Sequence, residues 1–355
     1  MRKSYLLMAA AATIFAACSE TDFVNPVPET EQEIGFENHV GKTTRAEITN
    51  EAALATAGGF KVWGWKTPTA ATLDWSVDAI TQIFNAQVVS GGDGAWTYSP
   101  KKYWDKNSTY NFYAVAPAVA PEGVIYSCTN PASGMITITG AQSALVAATA
   151  YNDFLIDRNG AQNVSGNHTG SHGKVNFDFN HIMAKVSIQL KRNVAEKITV
   201  NSITMSGWNS NTGKFVQTLT ATPGVGNTSE WTMTAAGTGG TVTFEQGYVL
   251  YSEPAVGEEL DLAVSAATPV AVEDSYIMVP QTVGTLTFTL DYTITYSDNL
   301  VEEFKSQTGT LTNQIWGTDT HTTYTILVGP EPIEFEVNTV SGFTTVTPNP
   351  ELPIE

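Results

Sequence analysis

The chain has 355 residues, with 17 Lys and Arg against 35 Asp and Glu, and a formal net charge of −18. That balance repels nucleic acid and anionic lipid surfaces alike, so neither is an expected partner. Cys18 and Cys128 are its two cysteines, so the fold is expected to rest on its core and not on a disulfide framework, and the length leaves room for two domains with cores of their own.

Arg2 and Lys3 precede an apolar run from Tyr5 to Ala17, the layout of an export signal too short to span a bilayer, so residues 1–17 are expected to be removed and not folded. The small pair Ala16-Ala17 directly before Cys18 is the pattern of a bacterial lipoprotein signal, in which the thiol is acylated. Each buried methylene contributes about 0.8 kcal/mol, so two or three acyl chains together anchor a protein stably where one is marginal.

Residues 18–45 then read as a tether and a short strand. Ser19 to Pro28 is polar and proline-containing and can bury little. Ile34 and Phe36 share one face of a short strand, and Gly41 to Ala46 is a polar loop that presents Arg45. A short helix is expected between Thr49 and Ala57, where a capping residue precedes helix formers.

Everything downstream reads as strand. From Thr285 to Tyr296, Leu286, Phe288, Leu290, Tyr292, Ile294 and Tyr296 fall on one face and threonines with Asp291 on the other. Similar alternation marks Met135–Thr139, Thr241–Phe244 and Ile333–Val337, while Tyr110–Val115 is apolar on both faces. The apolar phase flips between Phe179 and Ile182, which predicts a bend or bulge near Asn180-His181. The glycine-rich polar stretch 163–173 is the expected domain boundary, giving an N-terminal β-sandwich over 46–172 and a C-terminal β-sandwich with tail over 173–355.

Catalytic signals are weak. His168 and His172 stand four apart, but among glycines that argue against a helix, and no acidic or cysteine ligand lies close in sequence. His181 reads as a hydrogen-bonded core or corner residue. Gly237–Thr241 lacks the Lys-Ser/Thr of a phosphate cradle and reads as a hairpin loop, while Glu302-Glu303 and Glu258-Glu259 read as solvated turns. Nothing calls for a cofactor or a metal. Trp63, Trp65 and Trp104 lie in apolar runs and are expected in the core.

The segment closing on Cys18, the loop Thr43-Thr44-Arg45-Ala46, Tyr103-Trp104 followed by Tyr110–Pro117, Phe177–Val186, Met278-Val279-Pro280-Gln281 and Ile333–Val337, in that order, together resemble the fimbrillin family, subunits of the type V pili of anaerobic Gram-negative bacteria. The resemblance implies an all-β fold of two transthyretin-like β-sandwich domains in tandem and a non-enzymatic role in adhesion. It implies a precursor carried to the outer membrane and cell surface as a lipoprotein and cut by an Arg-specific protease after Arg45, before Ala46. The strand of Ile34 and Phe36 would then leave, and a segment of another pilin subunit would take its place. A host or bacterial surface ligand is the further partner that adhesion implies.

The family's inserting segment is expected near the C-terminus, but Val337 to Val346 alternates poorly and is followed by Pro348, Pro350 and Pro353, so a tip or accessory position is as open as a shaft one. One rival reading is a surface glycan-binding lipoprotein that uses exposed tryptophans such as Trp208 or Trp231. A second is a glycan-cleaving enzyme on a sandwich scaffold, which needs two carboxylates facing each other across a cleft.

Overall fold

The structure, a computed structural model, describes residues 32–40, 48, 50–70, 73–75, 78–92, 94–129, 135–142, 153–157, 160–166, 174–218, 228–235, 239–251, 269–272 and 275–342. Cys18, Arg45, Ala46, His168, His172, Glu258 and Glu259 lie outside these residues, as does the tail beyond 342. The described fold is almost entirely β, with one short helix, α1 (Glu51–Thr56), whose first turn is capped by Asn50 accepting from the Ala53 N–H at 2.8 Å.

A seven-stranded sheet dominates the N-terminal half. Its order is β1 (Gly35–Val40), β9 (Lys174–His181), β7 (Leu155–Asp157), β4 (Ser108–Ala116), β2 (Phe60–Pro68) and β3 (Thr81–Val89), with β8 (Ala161–Ser165) also pairing on β4. Every residue of β4 is buried, as its two-sided apolar sequence predicts. Tyr110, Phe112 and Ala114 face one core, which α1 and Trp96, Tyr98 and Trp104 cover. Tyr113 and Val115 face a second core, closed by a four-stranded sheet of β5 (Ile125–Thr129), β6 (Met135–Ala141), β12 (Gly213–Thr218) and β13 (Thr228–Met233). The first unit is thus a sandwich with an added cap, because its large sheet is apolar on both faces.

The second sandwich packs two five-stranded sheets over one core. One holds β16 (Val270–Ala271), β10 (Ala184–Arg192), β20 (Thr320–Val328) and β21 (Glu334–Ser341), with β17 (Tyr276–Met278) on β10. The other holds β14 (Gly239–Phe244), β11 (Lys197–Asn209), β18 (Gln281–Thr295) and β19 (Val301–Trp316), with β15 (Tyr248–Leu250) on β11. Of the predicted inward row, Leu286, Phe288, Leu290, Tyr292 and Ile294 enter this core, while Tyr296, just past the end of β18, packs against it only partly buried.

The exchange between sandwiches differs from the expected break after residue 172. Strand β8, which includes residues 163–165 of the glycine-rich stretch, and β9, which starts just after it, both belong to the seven-stranded sheet, so the expected break falls inside one sheet. The chain passes to the second sandwich between His181 and Ala184, where the apolar phase flips. It then returns: β12 pairs antiparallel with β6, and Phe215, Ile277 and Val279 join the first unit's core. Gly237–Thr241 is not a hairpin loop, since residues 239–241 lie in β14 and β13 and β14 pair in different sheets. Glu302 and Glu303 are solvated, but on β19 opposite Ile294 and Thr293 and not in a turn.

Candidate functional site

The site of interest is the outer edge of the seven-stranded sheet, where β1 is the last strand. It runs parallel to β9 over its whole length, from Gly35 opposite Lys174 to Val40 opposite Phe179. The residues just before it pair on the other bank: the Ile34 N–H donates to the Lys102 carbonyl and the Trp104 N–H to the Gln32 carbonyl, each at 2.9 Å. Tyr98 closes the gap, its hydroxyl donating to the Ile34 carbonyl at 2.7 Å. Burial, the largest influence on that phenol, pushes it up to about 12, so it stays a donor at any physiological pH.

Alternation then aims Ile34, Phe36, Asn38 and Val40 at one face. Ile34 and Phe36 are 0% and 1% exposed, and Val40 joins them in the core under the cap. The Phe36 ring meets five others: it stacks on Phe177 at 5.8 Å, meets Phe60, Phe84 and Phe112 edge-on at 5.5–6.4 Å, and tilts against Tyr98 at 5.5 Å. Gly64 of β2 makes this cluster possible, because a Cβ there would sit 2.9 Å from both Phe84 and Phe112. Asn38 is the exception in the row, its amide N and O both buried with no hydrogen-bond partner among the described residues.

Solvent-side ion pairs complete the hold. Lys174 Nζ lies 2.7 Å from Glu37, two residues beyond Lys174's register partner Gly35, and Lys101 Nζ lies 2.6 Å from Glu33. Being exposed, these pairs add little next to the rings.

Downstream, the chain re-enters the same core at Ile48, which is fully buried. Its N–H donates at 3.0 Å to Asp153 Oδ2, while Asp153 Oδ1 lies 2.7 Å from His181 Nδ1, with the carboxylate 0% exposed. Arg45 and Ala46 therefore fall between two buried anchors, Val40 and Ile48, though themselves outside the described residues. Sequence reading placed His181 in a hydrogen-bonded corner but missed its partner Asp153, since 28 residues separate them and no local motif joins them.

The tryptophans invoked for glycan binding are not available as exposed platforms. Trp208 is 2% exposed, and Trp231 is half-buried on Phe215 with its indole N–H donating to the Ile182 carbonyl at 2.6 Å. Trp63, Trp65 and Trp104 are buried, as expected. Cys128 is a buried free thiol whose ionisation burial pushes up. No group of three or more His, Cys, Asp or Glu suited to a metal occurs among the described residues.

Comparison with known proteins converges on one group. A family model described as fimbrillin-like matches residues 44–348. The fimbrium subunit Fim1C of Phocaeicola vulgatus is 24% identical over 201 residues, covering 55% of this chain and 53% of that protein, so the match spans about half the relative's length. In fold, the chain is similar to the crystal structure of a fimbrial protein from Bacteroides vulgatus, with a TM-score of 0.61 at 16% identity over 87% of this chain and 99% of that one.

Proposed function

The chain belongs to the fimbrillin-like family, and we propose that it is a structural, non-enzymatic subunit of a cell-surface fimbrium that assembles with other pilin subunits by strand exchange. In this reading it travels to the outer membrane as a lipoprotein acylated at Cys18, and an Arg-specific protease cuts it between Arg45 and Ala46. The observation that carries the reading is β1: an outermost strand, held by its own side chains in an aromatic groove, immediately upstream of the Arg45 loop.

Elementary energetics make such a strand a usable plug. Burying Ile34, Phe36 and Val40 is worth about 1.5–3 kcal/mol each, roughly 5–9 in total before the entropy of ordering the strand. While the strand is covalently attached it re-docks without cost in concentration; once cut, it must compete as a separate molecule. Its loss leaves β9 with unpaired backbone groups above an apolar channel, which another extended strand can satisfy. Asn38 loosens the plug from within, while Asp153 pins Ile48, so that release stops just past the cut.

The chain's own last described strand is an unpromising donor, since most of its side chains face solvent in its own sheet. A tip or accessory position accommodates this, and adhesion to a host or bacterial surface ligand fits either.

Treating the intact chain with an Arg-specific protease and sequencing the new N-terminus tests the proposal. The expected product begins Ala46-Glu47-Ile48 and forms detergent-resistant multimers that uncut protein does not. A product beginning elsewhere, or one that stays monomeric once the 18–45 fragment has been removed, overturns it. Palmitate incorporation that persists in Cys18→Ser removes the lipoprotein step alone.

A further inference from the structure

The second sandwich carries a concave site at its end farthest from the first. Strand β18 leaves the junction at Gln281 and ends 14 residues later at Thr295, which at about 3.3 Å per residue places its far end about 46 Å away. There, Tyr251, Tyr296, Glu196, Lys197, Ser297 and Asn299 line a cavity of about 330 Å³. Val249, Leu300 and Val301, all exposed, lie within two residues in sequence of the lining residues Tyr251 and Asn299.

Both aromatic walls are braced. The Arg192 guanidinium lies 5.4 Å from the centre of the Tyr251 ring, and it donates to the carbonyls of Ala195 and Glu196, tying ring and loop together. Tyr296 donates its hydroxyl to Glu302 at 2.8 Å, and its backbone closes a tight turn, the Tyr296 N–H to the Leu300 carbonyl and the Asn299 N–H to the Tyr296 carbonyl, each at 2.9 Å. Asn299 holds φ +65°, a left-handed value that Asn tolerates better than most residues.

Charge narrows the occupant. Among the described residues, Glu196 and Lys197 face the cavity, Arg192 and Glu302 stand behind its walls, and Asp298 lies in the same turn, so both signs of charge surround it. An apolar plug would strip water from Glu196 and Lys197 without replacement, and an ion of either sign would meet a like charge. A sugar ring meets all the requirements. Its C–H face packs on a tyrosine, and its hydroxyls, each donor and acceptor, answer Glu196, Lys197, Ser297 and Asn299. The volume is at the lower end of the 300–1,000 Å³ that small-ligand sites span, roughly.

We propose that this pole of the second sandwich binds a neutral saccharide of one or two rings, the terminal residues of a surface glycan. The site goes beyond the subunit role and is independent of processing, so it can be measured on uncut, monomeric protein.

Saturation-transfer NMR and calorimetry on the intact chain, with lactose, N-acetyllactosamine, maltose and α-linked mannobiose as probes and sialyllactose as a charged control, provide the test. At least one neutral sugar should bind, sialyllactose should bind no better than lactose, and Tyr251→Ala and Tyr296→Ala should each weaken binding by up to about tenfold. Immobilised animal mucin oligosaccharides and a bacterial capsular polysaccharide then distinguish the two sources of such sugars. Should the tyrosine variants unfold, Ser297→Trp fills the cavity from the exposed turn and should abolish binding. Failure of all four neutral sugars to bind, or binding unchanged in folded variants, overturns the proposal whether or not the protein polymerises.

Discussion

Two edge strands near opposite ends of the described chain are held in opposite ways. β1 pairs with β9 over six residues and β21 with β20 over eight, so backbone pairing alone favours the later strand. Yet β1 and the residue before it send Ile34, Phe36 and Val40 into a core, whereas β21 contributes a half-buried Phe335 resting 5.4 Å from Phe288 and leaves Val337 exposed. Ladder hydrogen bonds largely replace bonds to water, so side-chain burial decides how firmly an edge strand is held and what its departure exposes. β21 would leave little apolar surface behind; β1 would leave a channel lined by Phe60, Phe84, Phe112 and Phe177.

The largest test of this contrast is a pair of truncations. Phe36→Ala removes a ring in contact with five others and should destabilise the first sandwich of the intact chain by about 3–5 kcal/mol. Phe335→Ala should cost the second sandwich less than about 2 kcal/mol. Denaturant unfolding followed by tryptophan fluorescence can separate them. Trp63, Trp65, Trp75, Trp96, Trp104 and Trp231 report on the first unit, and Trp208 and Trp316 on the second. Equal costs would erase the distinction between the edges.

Next in size is the clamp just downstream of the proposed Arg45–Ala46 cleavage bond. Asp153→Ala leaves the Ile48 N–H and the His181 ring without their acceptor in a buried setting, a loss of about 3 kcal/mol. Hydrogen exchange should show the Ile48 amide losing protection first, with α1 following, while the second sandwich is unchanged. An Ile48 amide as protected as in wild type would mean the fold pins this point by packing alone.

Much of the contrast was legible in the sequence. Ile34 and Phe36 on one face, the two-sided apolar run of β4, the inward row of β18 and the phase flip before Ile182 all come from side-chain period, which is local. The rest depended on pairing across distance. No local pattern tells Gly35–Val40 to lie parallel to Lys174–His181, sends β12 and β13 back to the first sandwich, or sets Asp153 beside His181. The tryptophan platforms failed for the same reason: apolar area in sequence says that a ring is valuable, not which neighbour covers it. The far-pole cavity is equally invisible, its walls coming from three segments far apart in sequence, 195–197, Tyr251 and 295–299.

Sharpening the contrast from the other side, Asn38→Val replaces two buried, unpartnered polar atoms on the inward row of β1 with methyl groups. It should stabilise uncut protein by about 1–3 kcal/mol and slow release of the 18–45 fragment after cleavage, read by size-exclusion chromatography over time. Release as fast as in wild type would place the rate-limiting hold elsewhere on the strand.

The smallest effect concerns the bank that faces β1. Asp105 follows Trp104, whose N–H donates to Gln32. Its carboxylate accepts from Lys66 at 2.9 Å, Ser108 at 2.8 Å and the Asn107 N–H at 3.0 Å. The Lys66 bond foremost, then those from Ser108 and Asn107, hold its pKa down from 3.8 to about 2. A carboxyl whose folded value lies below its unfolded one contributes stability in full above the unfolded value, and that contribution drains away as pH falls from about 4 toward 2. The side chain is 41% exposed, so after screening the contribution is about 1 kcal/mol or less and shrinks further in salt. Wild type should therefore lose slightly more first-sandwich stability than Asp105→Asn between pH 5 and 2, at low ionic strength only. Because no described strand pairs with the outer edge of β21 and Asp105 lies in the first unit, the second sandwich should show no difference between the two proteins. A difference appearing there would mean that the two edges are coupled through the β6 to β12 pairing, and that the hold on β1 is not set by its own surroundings alone.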